Sequence, residues 1–378
     1  MKFLILGDFC PSLKLKNQLV NSQVNDLFGD FYDVIQKADL SIVNLETPLT
    51  SHESKMPKTG PSFKNDSLLA SFLKKSGFGL VTLANNHIMD YGPKGLNDTI
   101  SALKSAGIHY VGAGDSLTNS MKPFIYTSAN GKNVAVLNFT ENEWSTTNGN
   151  FHGAYGFDFI SNFNSIKEAK KHSDFVLILT HGGHENCHLP SKSFRNLLRF
   201  YIENGADAVV NHHTHCVGGF EYYRGKPIYY SLGNFLFDIN SSKKKSWNTG
   251  LGVEIDFSKD SIPTRRYFFS QCKKNDIFHL LDGEALEFEQ KKIEKLSLII
   301  QNDNVLDLEF QAWQKTQTQY YKINIEPHSN RIIQALQNRK LIPSFWTAKK
   351  KMYLLNMLRC ESHRETLIKL LKDEISNT

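Results

Sequence analysis

The chain has 378 residues, 40% hydrophobic and 22% charged, with 44 Lys and Arg against 38 Asp and Glu, a formal net charge of +6. That balance is of an ordinary globular protein and excludes a disordered or low-complexity chain. Acids are interspersed with the bases, so charge gives no ground for a nucleic-acid partner. The densest basic runs, "SSKKKS" (Ser241 to Ser246) and "AKKKMY" (Ala348 to Tyr353), read as solvated loops or helix faces.

In chain order, "MKFLILGDFCPS" opens with one lysine and an apolar run ending at Gly7-Asp8. The run is too short for a signal-peptide core or a membrane span and reads as a first buried strand. No other stretch is apolar enough for long enough to cross a bilayer, so the expected location is the cytoplasm. The same grammar then recurs. "ADLSIVNLE" ends at Glu46, "GFGLVTLANNH" at Asn86 and His87, and "NVAVLNFTENE" near Thr140 and Glu141. "SDFVLILTHGGHE" ends at His181, "GADAVVNHHTH" at His213 and His215, and "PIYYSLGNFLFD" runs to Asp238. Short, continuously apolar runs suit strands buried on both faces. Between them, "GLNDTISALKSAGI" has helical spacing and a glycine stop, and "SKSFRNLLRFYIENGAD" begins with a serine cap candidate. This alternation predicts an α/β sheet protein, in which functional groups collect beyond the carboxyl ends of strands.

After about Phe257 the alternation fades. "DGEALEFEQKKIEKLSLII" mixes charge with apolar residues at helical or strand-like spacing, and from Asn330 onward amphipathic helices are broken at Pro343. The expected organisation is a catalytic domain over 1–258 and a mixed, mostly helical extension over 259–378 with no catalytic cluster of its own.

The strand-end residues form a coherent donor set. Asp8 and Glu46 offer hard anionic oxygens, Asn86 a neutral carbonyl oxygen, and His181, His213 and His215 imidazole nitrogen. Mixed oxygen and nitrogen donors suit Mn, Fe or Zn. Six exceed the three or four protein ligands of one catalytic zinc, whereas two divalent ions bridged by one carboxylate would use all six. His87, beside a ligand candidate, is placed to protonate a leaving group. His212 reads as a packing histidine. The five cysteines lack CxxC spacing, which argues against a disulfide framework. Cys10, Cys187 and Cys216 lie near the polar clusters, either as small apolar filler or as soft ligands.

The stretches "LILGDFCPS", "ADLSIVNLETPLT", "VTLANNHIMDYGPKGLNDTISALKSAGIHYVGAG", "LTHGGHE" and "GADAVVNHHTHCVGGFEYYRGKPIYYSLGNFLFD" resemble the CapA/PgsA capsule-synthesis (poly-γ-glutamate biosynthesis) family. The resemblance covers about Lys2 to Asp238. That family is a branch of the calcineurin-like metallophosphoesterase superfamily. The resemblance implies a four-layer fold of two mixed sheets flanked by helices, with a two-metal centre at the sheet edge. It places Asp8 and His215 on one ion, His181 and His213 on the other, Glu46 between them, Asn86 as a further ligand, and His87 as the acid. Three departures stand out. The superfamily opens Asp-x-His, and Cys10 holds the place of that histidine. "HGGHE" puts Gly182 where the family often has tryptophan in the substrate wall. "NHHTH" replaces "GHHPH".

Substrate-side candidates are Lys64, which is either an anion-binding residue or a solvated loop lysine, and His184, Glu185 and His188 on the loop after His181. Asp90 either orients His87 or caps the following helix, and Asn234 steadies the site without a ligand role. The leading reading is a metal-dependent hydrolase of a phosphoester or amide bond, acting on an anionic small-molecule or polymer substrate in capsule, poly-γ-glutamate or other surface-polysaccharide metabolism. The competing reading is a non-catalytic, metal-stabilised scaffold among capsule-synthesis proteins. A third makes the basic C-terminal helices a docking module for an acidic polymer, a membrane surface or a partner protein.

Overall fold

The computed structural model describes residues 1–12, 19, 23–237, 245–258, 261–272, 277–325, 330–343, 345 and 347–376. Asp238 and most of the basic run at 241–246 lie outside the described residues. The strands that carry the architecture are β1 (Lys2–Phe9), β2 (Leu40–Leu45), β3 (Phe78–Thr82), β4 (His109–Val111), β5 (Phe124–Thr127), β6 (Asn133–Thr140), β7 (Phe175–His181), β8 (Ala208–His212), β9 (Phe220–Tyr223), β10 (Lys226–Tyr229), β11 (Asn234–Leu236), β12 (Thr249–Asp256), β13 (Thr264–Cys272) and β14 (Ile277–Leu280). One mixed sheet has the order β14-β13-β12-β1-β2-β3-β4, with β11 also pairing β1. The second has the order β9-β10-β8-β7-β6-β5. Within them β1, β2, β3 and β4 run parallel, as do β6, β7, β8 and β10.

Strand alternation explains why both sheets are buried on both faces. Phe3 and Ile5 of β1 pack with Leu177, Leu179 and Val210 of the second sheet in the central core. Leu4 and Leu6, pointing the other way, join Phe31, Ile35, Leu69 and Leu96 from helices α1 (Asp30–Lys37), α2 (Leu68–Lys75) and α3 (Gly92–Ala106). On the opposite outer face, Val176, Ile178 and Val209 pack against Ile166 of α4 (Phe159–His172) and Leu198 and Ile202 of α5 (Lys192–Glu203). The layers are therefore helices, sheet, sheet, helices. Both helix signals read from the sequence are present. Gly107 ends α3 at φ 69°, and the Ser191 side chain accepts from Phe194 N ahead of α5.

The C-terminal part contains α6 (Gly283–Gln301), α7 (Asp303–Ile325), α8 (Arg331–Asn338), α9 (Ala348–Arg359) and α10 (Glu361–Ser376). Two strands of the first sheet, β13 and β14, also lie beyond residue 258. The helices share the domain's cores: Ile293 joins the inter-sheet core, and Ile300 and Leu306 the outer face of the second sheet. Among the described residues, no helix is long and apolar enough to cross a membrane.

Arg195 of α5, only 1% exposed, fixes the α6–α7 junction: Nη1 donates to Ile300 O at 2.7 Å and Nη2 to Asp303 Oδ1 at 2.6 Å. Arg195→Met strands a buried carbonyl, which costs about 1–3 kcal/mol. We expect a lower melting temperature and earlier proteolytic cleavage around residues 300–303. Unchanged melting and cleavage would contradict this role.

Candidate metal centre

Parallel strands in both sheets deliver their carboxyl ends to one edge, and that geometry gathers the polar residues. Gly7 makes the approach feasible, because a Cβ there would stand 1.9 Å from Gly233 O. His212 ties the sheets behind the site, with Nδ1 3.1 Å from Thr180 O and Nε2 3.0 Å from Leu6 O. Both ring nitrogens thus lie against backbone carbonyls, in keeping with its reading as a packing histidine. His213 and His215 follow in left-handed backbone, with φ 90° and 58°. Such conformations are costly for residues with a Cβ and persist where the surroundings impose them. Here His213 N donates to Asp8 Oδ2 at 3.1 Å.

Two buried donor groups result, and Glu46 belongs to both. In one, Glu46, His181 and His213 bring ligand atoms within 4.8 Å of one another, and in the other Asp8, Glu46 and His215 do the same. In the first, His181 Nε2 lies 3.1 Å from His213 Nδ1, 3.1 Å from Asn86 Oδ1 and 3.6 Å from Glu46 Oε1. Ligand atoms about 2.1 Å from a shared ion stand about 3.4 Å apart in a tetrahedron, so these separations match a common ion. Asn86 Nδ2 donates to Glu143 Oε2 at 3.3 Å, which leaves Oδ1 as its donor atom. In the second group, His215 Nδ1 meets Asn234 Oδ1 at 2.9 Å, and Nε2 is 4.0 Å from Glu46 Oε1. Asn234 thus orients a donor, as the sequence suggested. Asn44 lies behind both groups. Its Nδ2 donates to Asp8 Oδ1 at 2.8 Å, and its Oδ1 accepts from Thr82 and Asn85.

Glu46 supplies the fit test for a metal. It is 0% exposed, and among the described residues neither carboxylate oxygen has a hydrogen-bond partner. Burial, then the neighbouring Asp8 and Glu185 carboxylates, raise its pKa well above the usual carboxylate range. An unsatisfied buried carboxylate beside a second one is costly unless cations meet it. Burial also holds His181 well below and His215 below the ordinary histidine range, which favours the neutral, ligating form. His213 differs. Burial pushes it down, but the Glu141 carboxylate overrides this and lifts it to about 10. Glu141 Oε1 lies 3.1 Å from His213 Nε2. A cation at Nδ1 would keep that Nε2–H···carboxylate contact, the usual support of a ligating histidine.

Beside the donors lies a cavity of about 410 Å³. His87 lines it, with Nδ1 donating to Asp90 Oδ2 at 2.7 Å. Asp90 also accepts from Phe63 N at 2.7 Å and pairs with Lys58, whose Nζ is 3.2 Å from His87 Nδ1. Asp90 therefore orients His87. Burial and then Lys58 lower the pKa of His87, outweighing Asp90.

The remaining candidates fall in different places. Lys64 does not reach the cavity. Its ammonium donates to His52 O at 3.0 Å and Glu53 Oε1 at 2.6 Å and sits 5.0 Å over the Tyr91 ring. Lys58, six residues earlier, is the lysine at the site. His184 lines the cavity but also ties the C-terminal helices, with Nε2 2.9 Å from Ser362 O and 2.8 Å from Thr366 Oγ1. Glu185 lines the cavity and is exposed, while His188 turns away to Val217 O at 2.7 Å. Cys10 packs with Phe237 and Trp247 in an apolar cluster and belongs to neither donor group. A Cβ on Gly182 would stand 2.9 Å from the Phe157 ring, so a side chain there would require that ring to shift.

The extension also reaches the site. At the start of α10, Glu361 accepts from Asn142 N at 3.0 Å and Asn142 Nδ2 at 2.8 Å, and Ser362 Oγ donates to Glu141 Oε2 at 2.8 Å. His363 Nε2 lies 3.4 Å from Glu143 Oε1. These three consecutive residues clasp the loop after β6. The "TENE" run at that strand end was the one signal that could have identified Glu141 and Glu143.

The curated relatives to which this chain is similar include two Bacillus proteins. It is 31% identical over 236 residues to a Bacillus subtilis (strain 168) protein described as "PGA biosynthesis protein CapA", covering 62% of each chain. It is 32% identical over 253 residues to a Bacillus anthracis protein described as "Capsule biosynthesis protein CapA", covering 64% of this chain and 61% of that one. The similarity thus spans less than two thirds of either relative. Among solved structures, TT1561 of Thermus thermophilus aligns over 69% of this chain and 97% of its own, at 12% identity and a TM-score of 0.38. Residues 2–239, well over half of the chain and the stretch that holds both donor groups, match the family described as "Bacterial capsule synthesis protein PGA_cap", and the protein belongs to that family.

Proposed function

We propose that the protein is a metal-dependent hydrolase with two divalent ions, acting on a phosphoester or amide bond in capsule, poly-γ-glutamate or other surface-polysaccharide metabolism. The observation that carries this reading is Glu46, a buried carboxylate without hydrogen-bond donors, shared by two donor groups. Asn86, His181 and His213 would hold one ion with Glu46, and Asp8 and His215 the other. The oxygen and nitrogen donors favour Mn, Fe or Zn. Bound there, such ions lower the pKa of water and polarise the scissile group. The chain's own residues do the rest. Asp90 keeps the Nδ1 proton of His87 in place, so the proton that His87 gives to the leaving group is one first taken up at Nε2, in the imidazolium form. Glu141 holds His213, and Asn234 holds His215, in ligating orientation.

The test is elemental analysis of purified protein beside a panel of phosphomonoester, phosphodiester and γ-glutamyl substrates. Metal-dependent turnover of any of these supports the hydrolase. Bound metal with no turnover favours a metal-stabilised scaffold among capsule-synthesis proteins. No specific metal binding overturns both. Chelation is expected to lower the melting temperature, because ligand that binds only the folded state at 100 times its Kd adds about 2.7 kcal/mol. An identical melt with and without EDTA would count against the centre.

A further inference from the structure

The cavity beside the donors is built from two parts of the chain. One wall is the strand-end loops, with His87, Glu143, His184 and Glu185. The other is the C-terminal helices, which supply Trp313, Tyr320, Tyr353 and Asn356. That second wall lies wholly beyond residues 2–239, the stretch that matches the family. It is fixed to the site by the α10 clasp on Glu141 and Asn142, and by the edge-on contact of the His184 and Trp313 rings at 5.0 Å.

The chemistry of this wall is specific. It is aromatic and carries amides. Among the described residues, the cavity lining contains one lysine, Lys58, which is paired with Asp90, and no arginine. Glu185 on the facing loop is negative and exposed. A run of carboxylates would meet no unpaired lysine or arginine in this lining. Asn356, only 7% exposed, contributes an amide to this lining, and His184 an imidazole. Amide and imidazole groups along such a wall can exchange hydrogen bonds with the hydroxyl groups of a ligand. Aromatic side chains supply broad apolar area with little entropy to lose. A sugar ring combines an apolar face with a rim of hydroxyls, and a cavity of about 410 Å³ has room for such a ring with its anionic group.

We propose that the C-terminal helices form a sugar-binding wall, so that the ligand of this centre is a phosphorylated sugar whose neutral ring lies against Trp313 and Asn356 while its phosphate faces the donor cluster. The proposal rests on the metal-centre reading given above.

The test is calorimetric binding of glucose 1-phosphate, N-acetylglucosamine 1-phosphate and tetra-γ-glutamate to the full chain loaded with Mn, with metal content measured on each sample. Binding of either sugar phosphate at least about tenfold tighter than inorganic phosphate is the expected result. Trp313→Leu and Asn356→Leu should each remove about tenfold of that advantage, with metal content and circular dichroism unchanged. Two variants on separate helices keep the test decisive if one folds poorly. Sugar phosphates binding no better than inorganic phosphate, or tetra-γ-glutamate binding tighter, overturns the proposal. So does full sugar-phosphate affinity in both variants. Loss of metal binding in the wild type would instead refute the metal centre, and the metal measurement separates these failures.

Discussion

Glu46→Ala is expected to remove both ions at once, whereas His181→Ala and His215→Ala should each weaken one. The reason is the shared position of Glu46 in both donor groups. The variant also carries an unusual stability prediction. Deleting a buried charged group ordinarily strands its partner and destabilises the fold. Glu46 has no such partner, and its burial beside Asp8 is itself unfavourable without cations. Metal-free Glu46→Ala should therefore melt no lower than metal-free wild type, while the stabilisation that added metal gives the wild type disappears. Differential scanning calorimetry with and without Mn measures both effects. A large loss of stability in the metal-free variant would show that Glu46 has a structural role apart from metal.

The second large effect is at His87. His87→Ala should lower kcat by about 10²- to 10⁴-fold, the usual range for a positioned acid, with metal content retained. Asp90 acts through His87, so Asp90→Asn should lower kcat more than it alters KM. Lys58 gives the distinguishing readout. Its charge is one cause, after burial, of the lowered His87 pKa. Lys58→Met removes that cation, so the His87 pKa should rise and the matching limb of the pH–rate profile should move to higher pH. A limb that stays in place, or moves down, would separate His87 from the titrating group. Loss of metal in His87→Ala would make His87 a ligand rather than the acid.

The central site was legible because its residues are local features of strands. Five of the seven apolar runs end in a donor, and parallel strands must present those ends at one edge. What was not legible depends on long-range packing. Lys58 and Lys64 lie on one irregular loop, and only the fold shows that Glu53 and Tyr91 draw Lys64 outward while Asp90 draws Lys58 in. The C-terminal helices have the amphipathic pattern of any surface helix, so the contact of Glu361 with Asn142, 219 residues apart in the chain, leaves no local mark. Cys10 held the place of a ligand in the motif, but its surroundings, Phe237 and Trp247, come from a distant segment.

A Glu46 carboxylate bridging two divalent ions is the central claim, and anomalous diffraction from crystals grown with Mn tests it most directly. Two peaks in contact with that carboxylate are expected, one among Asn86, His181 and His213 and the other beside Asp8 and His215. Density without a peak touching Glu46, or one ion held elsewhere with both Glu46 oxygens still unpartnered, would contradict it.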